Sequence, residues 1–517
     1  MHKLSGAPDK FARVRRLLPL AALTLASSAL VACGGPAANY DAVQAFAAAL
    51  QKGTVPVELG AEQAAAQRDY SQIRTTLGAK PTVTLGSVGN GTAQLHWSWP
   101  LTGGTWTYDT TVALSNQGKN VWAPTWARSS VIPGMAAGDK LTVTHPRGAR
   151  GTIMASDGRP APVGSLGGVL SGIEKDQDDK INGMPGTKVE LTHAGHTTEL
   201  ASYAPTNGVN LTITIRRDWQ QTAEGILNQS GPPSALVAIQ VSTGKILVAA
   251  NNNAAGGFPL ATIGRSPSGS TFKTVDALAE IRHRHFTADS IVTCPLHFTV
   301  MGFQFKNDKW YPPSSLGNVT LKEAIAQSCN TAQVSQHAFI PYASLKDAAR
   351  TLGVSQDYDL GFPAFLGQLP TPANEFVKAE DMIGQGDVLV SPLTMATDIA
   401  SIQAGHTVVP WMIEGVRPAV AAGITPLTAH EDAELKKIFR QVVIDGTAAA
   451  LNGMPGAPII AKTGTAEFVR NGADLTHTWL IAAQGDIAVC AYVDVGQTGA
   501  ATSLPLVRQF LSAIGPQ

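Results

Sequence analysis

The sequence predicts an α+β multidomain protein. A small α+β domain and an irregular linker domain precede a C-terminal domain built on an antiparallel sheet flanked by helices. Three observations carry this. The chain has 517 residues, too many for one ordinary core. Hydrophobic residues make up 44% and charged residues 15%, which is apolar enough for several cores and excludes a disordered tail or a coiled coil. Short apolar strands stand at both ends of the C-terminal half with helices between them, so one sheet is closed by both ends of that domain. Lys+Arg and Asp+Glu balance at 38 each, which gives no electrostatic case for a nucleic-acid partner. The four cysteines, Cys33, Cys294, Cys329 and Cys490, show no C-x-x-C spacing, so neither a disulfide scaffold nor a zinc site is expected. No metal or cofactor is assigned.

Residues 1–32 read as an export signal. Lys10, Arg13, Arg15 and Arg16 form a basic stretch, and an apolar run from Leu17 to Ala32 follows, interrupted by Pro19. The run is short for a spanning helix, which needs about 20 residues. It ends in Leu30-Val31-Ala32-Cys33, which resembles a bacterial lipoprotein signal, whose cysteine is lipidated and becomes the new N-terminus. Cys33 is the expected lipidation site, and residues 33–38 the lipid-anchored tether. The rest of the chain is expected at the cell membrane, on its extracytoplasmic face.

Residues 39–145 are expected to form the small α+β domain. Tyr40 to Leu50 repeats apolar residues at helical spacing, and Leu95, Trp97 and Trp99 alternate as a strand. Turns at Pro100–Gly104 and at Asn116-Gln117-Gly118 lead to further strands at Trp106–Leu114 and Val121–Trp126. Five of the nine tryptophans lie here. Bulky aromatics suit half-buried pleats, so they are read as the core of a small sheet on a helix rather than as a sugar cleft. Residues 146–215, rich in glycine and charge, read as an irregular linker or dimerisation domain.

Residues 216–517 form the third expected domain. Leu211, Ile213 and Ile215 alternate as a strand just before it, and Asp218 is placed to cap a helix carrying Trp219, Ala223, Ile226 and Leu227. Ala235–Val241 and Ile246–Ala250 make a hairpin around Ser242-Thr243-Gly244-Lys245. Pro458–Phe468, Trp479–Ala483 and Ile487–Val493 supply three more strands, and Leu504–Ile514 a final helix.

The chemistry-bearing residues are in this domain. Ser270-Thr271-Phe272-Lys273 opens a helical stripe, and residues three apart share a helix face, so the Lys273 amine can reach the Ser270 hydroxyl. A serine hydroxyl is a weak nucleophile until a neighbour takes its proton, and a lysine does so only when its pKa is lowered. Ser242 and Lys245 repeat the spacing across a β-turn, where the helical argument fails. Ser328-Cys329-Asn330 lies between two short helices, the first opened by a Thr320/Glu323 capping box, so its hydroxyl and amide can project into a cleft. Lys462-Thr463-Gly464-Thr465 lies on a strand that can bind a carboxylate through Lys and Thr and pair an extended peptide along its edge.

Ser-x-x-Lys and Ser-x-Asn are each weak alone and Lys-Thr-Gly-Thr is rarer; their order is specific. Ser-x-x-Lys, Ser-x-Asn and Lys-Thr-Gly in that sequence are the set shared by penicillin-binding proteins and class A β-lactamases. The chain resembles a class B, monofunctional penicillin-binding protein of lipoprotein type. Residues 39–145 resemble the cone-shaped N-terminal domain of methicillin-resistance-type members, and residues 216–517 their penicillin-binding transpeptidase domain. Gly384-Gln385-Gly386 and Ser391-Pro392-Leu393 also match; Ser268-Gly269 departs from a common Pro-Gly, and the arginine-rich form of Arg150–Gly158 is degraded.

The resemblance implies a serine D,D-transpeptidase that cross-links peptidoglycan stem peptides and is inhibited covalently by β-lactams. It implies Ser270 as nucleophile, Lys273 as base, and Ser328 and Lys462 as proton relay, with Asn330 holding the acyl amide and Lys273. Thr463, Gly464 and Thr465 are implied as the substrate-binding strand, and the backbone N–H groups of Ser270 and Thr465 as the oxyanion hole. It also implies cell-wall synthesis machinery as a partner. The alternatives are a D,D-carboxypeptidase, a serine β-lactamase, which a chain of this size with two leading domains is unlike, and a non-catalytic penicillin-binding sensor or division scaffold. Cys294 and Cys329 could pair if exported, but nothing in the sequence sets their separation.

Overall fold

The computed structural model describes residues 38–517, except 57, 58, 60, 61, 90, 119 and 120. The expected signal of residues 1–32, Cys33 and the tether before Ala38 lie outside the described residues. Two compact units are present, one running to Val143 and including Val189–Ala201, the other made of Thr144–Lys188 and Ser202–Gln517. Among the described residues no helix is long and apolar enough to cross a membrane.

The first unit contains helices α1 (Ala38–Lys52) and α2 (Gln63–Leu77). Strands β1 (Thr82–Val88), β2 (Thr92–Leu101), β3 (Gly104–Asn116) and β4 (Trp122–Pro124) pair antiparallel in that order. Strands β5 (Lys140–Thr144), β6 (Thr187–His193) and β7 (His196–Tyr203) make a further sheet. Strand alternation places Ala93, Leu95, Trp97 and Trp99 inside and Gln94 and His96 outside. Trp97 and Trp99 stack with centroids 5.8 Å apart, and their indole N–H groups donate to Thr110 Oγ1 (2.8 Å) and Tyr108 OH (2.9 Å). These two tryptophans are core, as the alternation predicts.

In the second unit, strands β8 (Ser234–Gln240), β9 (Ile246–Asn251), β14 (Ile460–Arg470), β15 (Ala473–Gln484) and β16 (Ile487–Val493) form one antiparallel sheet in the order β9–β8–β16–β15–β14. Between β9 and β14 the chain lays down short strands β10 (Ile291–Cys294), β11 (His297–Val300), β12 (Phe303–Lys306) and β13 (Gly317–Thr320). Both ends of the domain build the sheet: Ser234–Gln240 pairs residue by residue with Val493–Ile487. Strand β14, carrying Lys462–Thr465, is left at the edge.

Helices α3 (Gly167–Asp176) and α4 (Arg217–Leu227) precede the sheet. Helices α5 (Lys273–Arg284), α6 (Leu321–Ala326), α7 (Asn330–Ser335), α8 (Pro392–Ala404) and α9 (Ala429–Asp445) lie between its halves, and α10 (Leu504–Ile514) follows. Every residue of α8 from Pro392 to Ile402 is buried, and so is α5 from Lys273 to Ile281. Helix α10 covers α4 through an edge-on Trp219–Phe510 pair (6.2 Å).

Two local expectations change. Asp218 does not cap α4; the N-cap is Arg216, and Asp218 sits in the first turn, ion-paired to Arg216 (2.7 Å). The alternation at Leu211–Ile215 gives a strand of only two residues, Leu211–Thr212, paired in parallel with Ile153–Met154. Ile213 instead bridges to Ile413.

Candidate active site

Ser270 sits in a 3₁₀ turn, Gly269–Phe272, that runs directly into α5, with Lys273 as its first residue. Phe272, Val275, Leu278 and Ala279 are fully buried, so the stripe read from the sequence fixes how this turn is seated. Gly269 has φ +52°, and a Cβ there would meet the Thr465 carbonyl oxygen at 2.3 Å. Only glycine lets the nucleophile turn come this close to β14. Its N–H donates to the Gly384 carbonyl (2.8 Å), and Gly384 in turn has no room for a side chain against Gly269. Gly464 has the same crowding on the strand: a Cβ would strike the Ser268 carbonyl (2.7 Å) and Thr271 (2.8 Å). The space at Gly464 thus serves the packing of turn against strand.

Three motifs converge on one hydroxyl. The Lys273 amine donates to Asn330 Oδ1 (2.7 Å) and the Ser328 carbonyl (3.0 Å), and lies 3.3 Å from Ser328 Oγ. From the opposite side, the Lys462 amine lies 3.0 Å from Ser328 Oγ and donates to the Thr463 carbonyl (2.9 Å). Ser328 Oγ therefore bridges two lysines drawn from a helix and a strand. The Ser270 hydroxyl, half-buried, has no hydrogen-bond partner among the described residues. Hydrogen bonds of this kind commonly form only once substrate is bound.

The electrostatics follow from burial. Both lysines are fully buried, and a buried ammonium loses its hydration. Desolvation brings Lys273 down to about 7, against the opposing pull of Asp276, Glu280 and Asp308. Desolvation, and then the neighbouring Lys273, drives Lys462 well below the ordinary lysine range. Behind Lys273 on α5, Asp276 and Glu280 are buried; the Asp276 carboxyl has no hydrogen-bond partner among the described residues, and Glu280 lies beside Gln333. Burial pushes both upward, Glu280 to about 8.

Ser328 adopts φ +65°, a left-handed conformation that a non-glycine residue rarely takes. Two neighbouring features hold it. Thr320 caps α6 and accepts from Glu323 N–H, one half of the capping box the sequence predicts, and α6 ends just before the Ser328 turn. On the other side, Asn307 reaches in from beyond β12: its Oδ1 accepts from the backbone N–H of Asn330 (2.8 Å) and Thr331 (3.1 Å), satisfying two free donors at the start of α7. Sequence reasoning missed Asn307, because a cap supplied from a distant loop leaves no local pattern.

Cys329, between Ser328 and Asn330, is disulfide-bonded to Cys294 at the end of β10, with a Cα–Cα distance of 6.3 Å. The pairing that the sequence left open is thus made. The bridge closes a loop of sequence separation 35, which chain-entropy reasoning values at about 4 kcal/mol. Replacing both cysteines by alanine is expected to lower the thermal unfolding midpoint relative to the oxidised parent. An unchanged midpoint would mean the bridge adds nothing beyond the surrounding hydrogen bonds.

Thr463 is nearly buried, and its Oγ1 lies 2.6 Å from Thr447 Oγ1, in the loop after α9. Thr465 Oγ1 accepts from Gly499 N–H (3.3 Å). The second Ser-x-x-Lys copy is a turn, as expected: Ser242 bonds to Asp486, and Lys245 lies 3.4 Å from Glu414. Cys490 is buried in β16. Among the described residues no cluster of side chains could hold a metal ion.

An antiparallel sheet with a serine–lysine helix start, a Ser-x-Asn turn and a Lys-Thr-Gly edge strand defines a class of serine acyl-transfer proteins. The chain belongs to the penicillin-binding protein transpeptidase domain family, whose model matches residues 234–512. It is 27% identical over 363 residues to the peptidoglycan D,D-transpeptidase PbpA of Mycobacterium tuberculosis, covering 59% of this chain and 72% of the relative. To PbpA of Mycolicibacterium smegmatis it is 26% identical over 409 residues, covering 68% and 80%. The structure of penicillin-binding protein A from M. tuberculosis as a ceftriaxone acyl-enzyme superposes with a TM-score of 0.58 at 22% identity, covering 71% of this chain and 98% of that one.

Proposed function

We propose that this chain is a serine D,D-transpeptidase that cross-links peptidoglycan stem peptides through an acyl-enzyme on Ser270, and that β-lactams inhibit it by stalling at that ester. The observation that carries the reading is that Ser328 Oγ lies within hydrogen-bond distance of two buried lysine amines, that of Lys462 and that of Lys273, which stands one turn after Ser270 and is held by Asn330. The PbpA relatives bear the same activity in their names.

The steps follow from the groups in place. Ser270 Oγ attacks the carbonyl of the penultimate D-alanine, and its proton passes to the uncharged Lys273 amine. The backbone N–H groups of Ser270 and Thr465, drawn together by the close contact at Gly269, stabilise the oxyanion; each such donor is worth roughly 3 kcal/mol. The C–N bond then breaks. The proton travels from Lys273 through Ser328, steadied by Lys462, to the nitrogen of the departing D-alanine. Asn330 holds the acyl amide and Lys273, and Thr463, Gly464 and Thr465 carry the donor strand. An acceptor amine attacks the ester, gives its proton back along the same route, and releases Ser270 with the new amide formed.

The family position is that of a PbpA-like class B protein, which we read as a lipoprotein. Residues 1–32 are the signal, Cys33 the lipidated residue and 33–38 the tether. A methicillin-resistance-type domain over 39–145 and a linker over 146–215 precede the transpeptidase domain of 216–517. The protein acts on the extracytoplasmic face of the cell membrane, with cell-wall synthesis machinery as partner. A disulfide beside the site supports an oxidising compartment.

Incubating the protein with a stem-peptide thioester and a D-amino acid tests the activity. The expected result is an exchanged peptide carrying the D-amino acid, seen by mass. Hydrolysis alone would make the protein a D,D-carboxypeptidase, and no turnover at all a sensor or scaffold.

A further inference from the structure

The loop Gly384-Gln385-Gly386 backs the nucleophile turn on the side away from β14. The Gly384 carbonyl accepts from Gly269 N–H (2.8 Å), and a Cβ at Gly384 would meet the Gly269 carbonyl at 2.1 Å. Asp381 grips this loop at both ends. It is the last residue of the helix Glu375–Asp381, and its carbonyl accepts from Gly384 N–H (2.9 Å). Its side-chain Oδ1 accepts from Asp387 N–H (3.1 Å), and a Cβ at Gly386 would strike that oxygen at 2.8 Å. Its Oδ2 lies 3.1 Å from the hydroxyl of Tyr342, which opens the helix Tyr342–Thr351. Contacts therefore run from Tyr342 through Asp381 and the loop to Gly269, one residue before Ser270.

Counting hydrogens gives the state of this acid. The Tyr342 hydroxyl brings one hydrogen and stands between two oxygens, the Pro370 carbonyl and Asp381 Oδ2. A carbonyl oxygen can only accept, so the close contact with Pro370 takes that hydrogen. The hydrogen between Tyr342 and Asp381 is then Asp381's own. One carboxyl oxygen accepts and the other donates, which is the pattern of a neutral acid. The surroundings agree. Asp381 is fully buried, and burial pushes its carboxyl up to about 7. The groups that act on it or feel it are Glu380 on its own helix, Asp387 after the loop, Asp276 of α5 and the Tyr342 phenol, with no cation among them.

We infer that Asp381 is a positioning residue for Ser270: as a neutral acid bound to Tyr342 and to Asp387 N–H, it locks the loop whose Gly384 carbonyl seats the nucleophile turn. The inference rests on the transpeptidase reading above. It adds a residue from outside the three motifs, one that touches no reacting atom and acts through Gly269.

The test follows labelling by a fluorescent penicillin over a range of concentrations, which separates affinity from the acylation rate constant. Asp381→Ala is expected to lose about 10- to 100-fold in the rate constant, the scale of a small displacement of reacting groups, with affinity within about threefold of the parent. Asp381→Asn keeps an acceptor for Asp387 N–H and a donor for Tyr342, and should stay within about threefold in both. If Asp381→Ala does not fold, Tyr342→Phe carries the test: it removes the acceptor of the Asp381 hydrogen and should cost about 3- to 10-fold in the rate constant. An unchanged rate constant, a loss confined to affinity, or an equal loss in Asp381→Asn would overturn the inference. Thermal unfolding tests the proton. A carboxyl raised to about 7 in the fold gives stability that is full below its ordinary value and is lost as pH rises through about 7. Asp381→Asn lacks this dependence, so its midpoint should climb relative to the parent's between about pH 4 and 7. Parallel midpoints would show that Asp381 holds no proton and would also overturn the inference. A parent protein that no concentration labels would instead remove the transpeptidase reading, and this inference with it.

Discussion

A Ser270→Ala protein is expected to fold as the parent does and to lose labelling by a fluorescent penicillin below detection. The substitution removes one half-buried oxygen that bonds to nothing else in the protein, so its structural cost is small. Its chemical cost is total, because a covalent adduct needs a nucleophile. The neighbouring Ser328 does not substitute: its hydroxyl is held between two lysine amines, and its left-handed backbone fixes it there. Denaturing-gel fluorescence and circular dichroism on the same sample separate the two effects. Undiminished labelling of a folded Ser270→Ala protein would move the nucleophile elsewhere and end the assignment.

The second large effect concerns the base. Removing Lys273 as Lys273→Ala is expected to lower the acylation rate by about 10²- to 10⁴-fold, the range of a positioned general base. The parent enzyme should carry its signature in a pH profile. Lys273 accepts a proton only as the free amine, and burial lowers its pKa to about 7. The acylation rate should therefore fall about tenfold per unit as pH drops below 7 and level off above it. An ordinary exposed lysine would still be charged at pH 9, and the rate would keep climbing to above pH 10. A profile without a break near 7 would show that Lys273 is not the group that takes the proton.

How much of this was legible beforehand depended on where the signal lay. Ser234–Gln240, Ile246–Asn251 and Ile487–Val493 announced themselves because each is a near-continuous apolar run bounded by turn residues, and Leu504–Ile514 because its apolar stripe has a clean helical period. Helix α2 escaped because its buried residues, Ala66, Tyr70, Ile73 and Leu77, are diluted among Gln, Arg and Thr. Asp218 misled because a side chain that can cap is also welcome one turn into a helix, against the N-terminal dipole. The site was readable at Ser270, Lys273, Ser328, Asn330 and Lys462 because those motifs are contiguous in sequence. Asn307 acts across space from a loop with no periodicity. The Cys294–Cys329 bond likewise depended on a fold that brings the end of β10 to the Ser328 turn.

The way the main sheet is stitched has a bearing on how the protein comes into being. Ser234–Gln240 has to wait for Ile487–Val493 before its inner neighbour exists, and the strand bearing Lys462 joins the sheet only through the hairpin partner that follows it. Every catalytic side chain is therefore synthesised before the sheet that will align it is complete. Pairings this remote along the chain assemble slowly, and their unpaired edges are exposed to aggregation meanwhile. A ribosome-released fragment ending soon after Thr465 would carry all three motifs and remain inert, and the full chain should acquire penicillin reactivity in one late, cooperative step during refolding.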